Sequence, residues 1–377
     1  MTAPLRVLVL YTGGTFGTVY RNEGPCHPAA LSRVLATIRR NPYLHDNADS
    51  SHRTDEQVQQ LVTPGLRING ETRHISYDID DFGTLLFSSN MEHSHWQQIA
   101  RKIQDHYAVY TGFVIIMGTD TMAYVGSALS FMLQHLNKPV ILTGAMIPIF
   151  NSSTDGLNNL LCSLIMATRN IPEVMLCFNK AVFRANRTTK MDSANFDSYI
   201  SPNMPPLATV DIDEGTLEVN ILVEENLVRR NPVTEDLDVL PVCNKADVGM
   251  LLLYPGMSAD MVMRFARDLK GVVLLSHGAG NMSDEVMGAL EKLVKEDRIF
   301  VNITSCLKGG VATNTSLKDL VQSGLVLGMD MTPQAAFTKL SYVLATNLSI
   351  KEKRKVLLQN LGGEITAKTS DSKEKNR

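Results

Sequence analysis

Residues 112–144 constrain the fold more than any other stretch. Gly112-Phe113-Val114-Ile115-Ile116-Met117 is an unbroken apolar run of strand length, and Pro139-Val140-Ile141-Leu142 is another. Between them, from about Asp120 to Leu136, the residues Ala128, Leu129, Met132, Leu133 and Leu136 recur at helical period on one face. Two strands joined through a helix run parallel, because the crossover returns the chain to the same edge of the sheet. Parallel strands are covered on both faces, so they read as continuous apolar runs rather than as alternating ones. Thr119 is placed to cap the helix, and Asp120 to open it where the helix dipole favours a carboxylate.

The same grammar recurs along the chain. Arg6 to Leu10, Thr84-Leu85-Leu86 and Val174 to Phe178 read as strands, each followed by a polar or glycine-containing turn. A second series starts at Asp247. It contains the strands Met250 to Leu253, Val272 to Leu275 and Ile299 to Ile303, with helices from Ser258 and Ser283. Thr332 caps a further helix with Pro333 at its first position, as helices prefer, and a last helix runs from about Ile350 to Asn360. Residues 216–246 differ in character, mixing short β-like runs with the charged stretch Glu224 to Asp238. The expected fold is α/β in two domains. A larger N-terminal parallel-sheet α/β domain spans 1–215, and a smaller C-terminal parallel-sheet α/β domain spans 247–363. They are joined by 216–246 and followed by a disordered tail, 364–377. His45 to Gln60 is expected as a surface loop. A length of 377 residues with 44% hydrophobic side chains suits two domains with their own cores.

Composition excludes several partners. The net charge of −3 is spread over mixed signs, which makes no electrostatic case for nucleic acid or an anionic membrane. No apolar run is long enough to span a bilayer. The five cysteines, Cys26, Cys162, Cys177, Cys243 and Cys306, are dispersed and lack metal-ligand spacing. Such a set fits a reducing, cytoplasmic compartment. No metal and no organic cofactor is expected.

Two threonines stand in glycine-framed turns directly after strands. One turn is Tyr11-Thr12-Gly13-Gly14-Thr15-Phe16-Gly17 and the other is Met117-Gly118-Thr119-Asp120-Thr121-Met122. Open α/β sheets place their chemistry beyond the carboxyl ends of parallel strands. A threonine hydroxyl becomes a nucleophile only when a neighbouring base takes its proton. Further polar segments follow other apolar runs: Phe87-Ser88-Ser89-Asn90, Thr143-Gly144-Ala145-Met146, Ser153-Thr154-Asp155-Gly156 and Arg187-Thr188-Thr189-Lys190. His277-Gly278-Ala279-Gly280-Asn281 does so in the second series.

The order TGGT, MGTDTM, TGAMIP, RTTK, SPNMPPL, YPG, GAGN and DMTPQAAFTKL resembles the bacterial-type L-asparaginase family, in particular its type I, cytosolic branch, which includes animal enzymes. The resemblance covers nearly the whole chain. It implies hydrolysis of the side-chain amide of L-asparagine, through an acyl-threonine intermediate, with no metal or cofactor. It implies Thr15 as the primary nucleophile and Thr119, Asp120 and Lys190 as a linked proton-transfer group. Gly14, Ser88, Ser89, Asp120 and the Ala145 carbonyl would hold the substrate. It also implies a homotetramer built as a pair of dimers, with Asn281 and Ser283 as candidates for the contribution across subunits. Lys190 serves as a base only if burial or charge lowers its pKa, whereas Asp120 favours the ammonium. Thr15, after a double glycine, is expected in a mobile segment, and Thr119 in a rigid one.

The chain departs from the type I pattern in places. Phe87 and Asn90 replace aspartates common beside the two serines, and Val311 stands where many members have a tyrosine. Tyr11 and Tyr20 are the nearby phenols in sequence. Two other readings stand beside asparaginase: the ammonia-producing subunit of a tRNA-dependent amidotransferase, and an amino-acid-binding pseudoenzyme. The former type usually carries an extra N-terminal domain, and here the first strand begins near Arg6.

Overall fold

The run Gly112–Ile116 lies inside an eleven-stranded sheet, with a strand on either side, and every one of its residues is buried. The computed structural model describes residues 5–19, 27–46, 60–213, 215–230, 235–244, 247–312 and 317–366. Tyr20, Cys26, most of the loop expected at His45 to Gln60, and the tail from 367 onward lie outside the described residues. Two units are distinguished: Met1–Ile200 with Pro206–Leu240, and Ser201–Pro205 with Pro241–Arg377.

In the first unit, Ser76–Leu86, Arg6–Gly13, Gly112–Ile116, Val140–Thr143 and Val174–Phe178 are successive parallel neighbours. The order reverses at Arg6–Gly13. The next of these strands in the chain, Ser76–Leu86, lies on one side of it and Gly112–Ile116 on the other. A reversal of this kind opens a crevice at the carboxyl edge.

Beyond Val174–Phe178 the sheet is antiparallel, through Ala181–Arg184, Ala208–Asp213 and Glu218–Val223. The large sheet is therefore mixed and not parallel throughout. The cause is the two-residue link Asn179-Lys180, too short for a crossover. Both of its residues have positive φ, 46° and 67°, the geometry of a tight hairpin.

Glu218–Val223 is thus a strand of the first unit, and that unit continues to Leu240. Most of 216–246, expected as a connection, belongs to it. The crossover helix is Met122–Met132 and starts at Thr121, not at Thr119. It ends before Leu136 because Leu133–Gln134 turns extended and pairs with Asp238–Val239. Nine of its residues are buried, so it is enclosed on all sides rather than amphipathic.

The second unit is a four-stranded sheet, Val248–Leu252, Gly271–Ser276, Ile299–Thr304 and Val326–Leu327, parallel throughout as expected. Side chains alternate between its faces. Val272 and Leu274 join a core with the helices Ala259–Ala266 and Asp284–Lys295, while Val273 joins another with Pro333–Leu344 and Ile350–Leu357. Ser258, Ser283 and Thr332 cap their helices with side-chain hydrogen bonds. Ser201–Pro205 belongs to this unit, though its sequence neighbours belong to the first. The Asn203 amide fixes it, donating to Gly309 O and Asp330 O and accepting from Gly309 N.

Lys339 and Glu364 form a fully enclosed ion pair at 2.6 Å. Burial pushes the Lys339 pKa down, and Glu364 opposes the shift. Lys339 also donates to the carbonyls of Leu357 and Gln359, and Glu364 accepts from the amides of Leu361 and Gly362. The segment after the last helix is therefore pinned to the core by charge. Lys339→Met, which strands Glu364 in the interior, is expected to destabilise the second unit by about 3–5 kcal/mol. Lys339→Met with Glu364→Gln should recover part of that loss. Urea titration read by peptide-resolved hydrogen exchange over 333–366 measures both, and an unchanged midpoint for the single variant would refute the assignment.

Candidate active site

Four turns meet at the carboxyl edge of neighbouring parallel strands: Gly14 to Gly17, Ser88 to Asn90, Gly118 to Thr121 and Gly144 to Met146. Glycine makes the meeting possible. Gly14 has φ 75°, in the left-handed region, and a Cβ there would lie 2.2 Å from Gly118 N. A Cβ on Gly118 would lie 2.7 Å from Ser88 Oγ. Backbone bonds join the turns as well. Gly14 N–H donates to Leu86 O at 2.8 Å, and Met117 N–H to Thr143 O at 2.9 Å. The buried Thr12 hydroxyl donates to Ile116 O at 3.1 Å.

Thr15 opens a 3₁₀ turn, Thr15–Gly17, and is half-buried. The turn is anchored on both sides by hydrogen bonds and packing. Thr18 Oγ1 donates to Gly14 O at 2.9 Å, Phe16 is fully buried, and Ile149 N–H donates to Phe16 O at 3.0 Å. Tyr11 makes no hydrogen bond to Thr15. Its phenol is enclosed, its pKa is raised mainly by burial, and it donates to Ala29 O.

Thr119, Asp120 and Lys190 touch one another. Lys190 Nζ donates to Thr119 Oγ1 and to Asp120 Oδ1, both at 2.8 Å. Thr119 is buried, whereas the Asp120 side chain is 70% exposed and that of Lys190 16%. The trio thus runs from the interior to solvent. Thr119 is not a helix cap; its hydroxyl accepts from Lys190 and its carbonyl from the Tyr199 hydroxyl. Lys190 and Tyr199 face each other in a short antiparallel pair, Thr189–Lys190 with Tyr199–Ile200. Burial, with a smaller contribution from Asp120, pushes the Tyr199 phenol well up, so it remains a neutral donor. Tyr199 carried no sequence signal, because nothing local marks a residue whose partner lies 80 positions away.

Ser88 is buried, and its hydroxyl accepts from Asp120 N–H at 3.1 Å. Its carbonyl accepts from Thr121 Oγ1 at 2.8 Å. Ser88 therefore orients the Asp120 backbone, and Ser89 is the exposed serine of the pair. Ala145 is fully buried. The amides after it, Met146 and Ile147, donate to the Asp155 carboxylate at 3.0 Å, and Asn159 ties Asp155 to Gly144 O. The loop after Lys190 is held by Asp192, whose carboxyl falls to about 2. The causes are the Asn195 side chain first, then the amides of Ala194 and Asn195. Phe87 is half-buried and Asn90 exposed. Val311 is buried in the core of the second unit. Among the described residues, no three His, Cys, Asp or Glu side chains are grouped to hold a metal ion. No helix there is long and apolar enough to cross a membrane.

Chemically, the edge offers a hydroxyl after a double glycine, a second hydroxyl bonded to an ammonium, and an exposed carboxylate on that ammonium. The family model for the asparaginase N-terminal domain matches residues 6–222, and that for the glutaminase/asparaginase C-terminal domain matches residues 247–357. L-asparaginase 1 of Escherichia coli K12 is 40% identical over 96% of this chain and 98% of its own length. A mouse protein named 60 kDa lysophospholipase is 40% identical over 97% of this chain, and the L-asparaginase of Dirofilaria immitis 38% over 96%. The chain spans about three fifths of the length of those two relatives, 63% and 60%. The crystal structure of L-asparaginase I from Vibrio cholerae superposes with a TM-score of 0.80 at 33% identity, over 97% of this chain and 100% of that one. Matched along both domains and across the four turns, the chain belongs to the asparaginase family.

Proposed function

We propose that the chain is an L-asparaginase, an amidohydrolase that converts L-asparagine to L-aspartate and ammonia. The observation that carries this reading is the Lys190 ammonium, bonded to both Thr119 Oγ1 and Asp120 Oδ1 on the same sheet edge as the Thr15 turn. The exposed Asp120 carboxylate suits the substrate's ammonium. Ser89, Ser88, Gly14 and the Ala145 carbonyl complete the grip on the amino-acid end and on the amide.

The Thr15 hydroxyl attacks the side-chain amide carbon, and the proton it loses is relayed by way of Thr119 and Lys190 to the amide nitrogen. The C–N bond breaks, and NH3 leaves. Water then adds to the β-aspartyl ester on Thr15, and the C–O bond breaks, releasing aspartate and restoring the hydroxyl. Turn amides beside Gly118 stabilise the oxyanion. Neither a metal nor a cofactor takes part.

The enzyme works in the cytoplasm as a homotetramer of two dimers, with Asn281 of a neighbouring copy at each site. The Ser283 hydroxyl is engaged in capping its own helix, which makes it the weaker candidate. The amidotransferase reading is less favoured, since a glutamyl-tRNA(Gln) amidotransferase chain of Pyrococcus abyssi is only 31% identical, over 75% of this chain. The mouse relative's name motivates a second substrate, a lysophospholipid ester.

Ammonia release from L-asparagine, L-glutamine and D-asparagine, beside fatty-acid release from lysophosphatidylcholine, tests the reading. L-asparagine is expected to be the fastest substrate; binding of L-asparagine without ammonia release would establish a pseudoenzyme instead. Light scattering is expected to give a tetramer, and a fully active monomer at assay concentration would defeat that assignment. Thr15→Ala is expected to abolish the acyl-enzyme and leave asparagine binding largely intact. Thr119→Val should lower kcat by about 10²–10⁴-fold, the range for losing a proton-transfer group. Mass spectrometry after rapid acid quench locates the adduct, and a β-aspartyl ester on Thr119 would reverse the division of labour.

A further inference from the structure

Thr119 precedes the helix Met122–Met132, whose first backbone bonds run from Tyr124 and Val125 to Thr121 O. Its own carbonyl therefore lies outside the helical ladder. Among the described residues, the partner of that carbonyl is the Tyr199 hydroxyl, which donates to it. The Thr119 hydroxyl, at the other end of the residue, accepts from Lys190 at 2.8 Å. Lys190 and Tyr199 are directly opposed in their two-stranded pair. Directly opposed residues project to one face of such a pair. One cross-strand pair thus grips Thr119 at both of its oxygens.

The grip is stiff. Tyr199 is 2% exposed, and its ring meets Phe178 edge-on, with centroids 5.1 Å apart. Phe178 is the last residue of the strand Val174–Phe178, so the phenol is referenced to the central sheet. The Tyr199 hydroxyl acts on the site through the Thr119 carbonyl.

We propose that Tyr199 is a positioning residue, which sets the Thr119 hydroxyl against the Lys190 ammonium by holding the Thr119 carbonyl. The proposal rests on the asparaginase reading for its kinetic consequence. A hydroxyl displaced by a fraction of an ångström transfers its proton less often, while the groups that bind the amino-acid end are untouched.

Tyr199→Phe keeps the ring and removes only the donor. The expected result is a fall in kcat of about 10- to 100-fold, with KM for L-asparagine within about twofold of the parent and a similar melting temperature. A measurement independent of turnover accompanies it: the labelling rate of Lys190 by trinitrobenzenesulfonate, mapped by mass spectrometry. Labelling should be faster in Tyr199→Phe, because the ammonium's contact with Thr119 loosens. Unchanged kcat and unchanged labelling, with only a lower melting temperature, would show a merely structural tyrosine and overturn the proposal. A proportional loss of kcat and rise of KM, with unchanged labelling, would overturn it too. If the parent protein releases no ammonia from L-asparagine, the asparaginase reading fails, and the labelling comparison alone then decides whether Tyr199 holds the Thr119–Lys190 pair.

Discussion

The backbone of Gly14 lies against the backbone of Gly118, and the organisation of the candidate site depends on that contact. A methyl group at position 14 would sit 2.2 Å from Gly118 N, and one at position 118 would sit 2.7 Å from Ser88 Oγ. Any side chain at either place drives apart turns that carry Thr15, Thr119 and Ser88. The strands beneath cannot follow such a movement. Arg6–Gly13 and Gly112–Ile116 are in parallel register from Val7 to Tyr11, and their residues are almost all enclosed. Close-packed interiors answer a volume change with strain rather than with a smooth shift. Two hydroxyl-bearing turns are consequently brought to one edge by residues that have no chemistry of their own.

Thr119 is held by groups from two separate parts of the first unit, the Lys190–Tyr199 strand pair and the Ser88 turn. Lys190 reaches its hydroxyl, Tyr199 its carbonyl, and Ser88 accepts from the amide that follows it. Each of these contacts spans at least 32 positions in sequence. Forming them requires the sheet, the Ser88–Asn90 turn and the Lys190–Tyr199 pair to be in place first. Donors fixed in this way need little reorganisation when a charge develops beside them. Ala145 is prepared likewise, by an Asp155 carboxylate that accepts from the two amides beyond it.

Elements buried on both faces are legible in the sequence, and elements set by partners are not. Phe113 to Ile116 and Val140 to Leu142 read as strands because nothing polar is tolerated along them, and their helical spacer dictates a parallel crossover. The hairpin at Asn179-Lys180 has no such mark, since its signal is a pair of positive φ angles rather than a glycine. Thr119 has the residue type of a cap, yet Thr121 occupies that place and the Thr119 hydroxyl goes to Lys190. Ser201–Pro205 reads with its sequence neighbours, because the Asn203 contacts that draw it to the second unit lie more than a hundred positions away. Local pattern speaks for burial and period; it is silent about which distant carbonyl a buried phenol or amide will satisfy.

The two lysine–carboxylate pairs show how environment divides structure from chemistry. Lys339 and Glu364 are both inaccessible, at 2.6 Å, and their remaining hydrogen-bonding capacity is taken up by backbone groups. Such a pair has no proton to give to anything outside, and its value lies in fixing the chain around it. Lys190 and Asp120 sit at a similar distance, 2.8 Å, but with the carboxylate 70% exposed. Water screens that pair, so it contributes little to stability. What it retains instead is access. The Asp120 carboxylate is open to solvent, while Lys190 is bonded to the buried Thr119 hydroxyl. An ion pair of low structural worth at the mouth of a buried hydroxyl is therefore the more informative of the two about function.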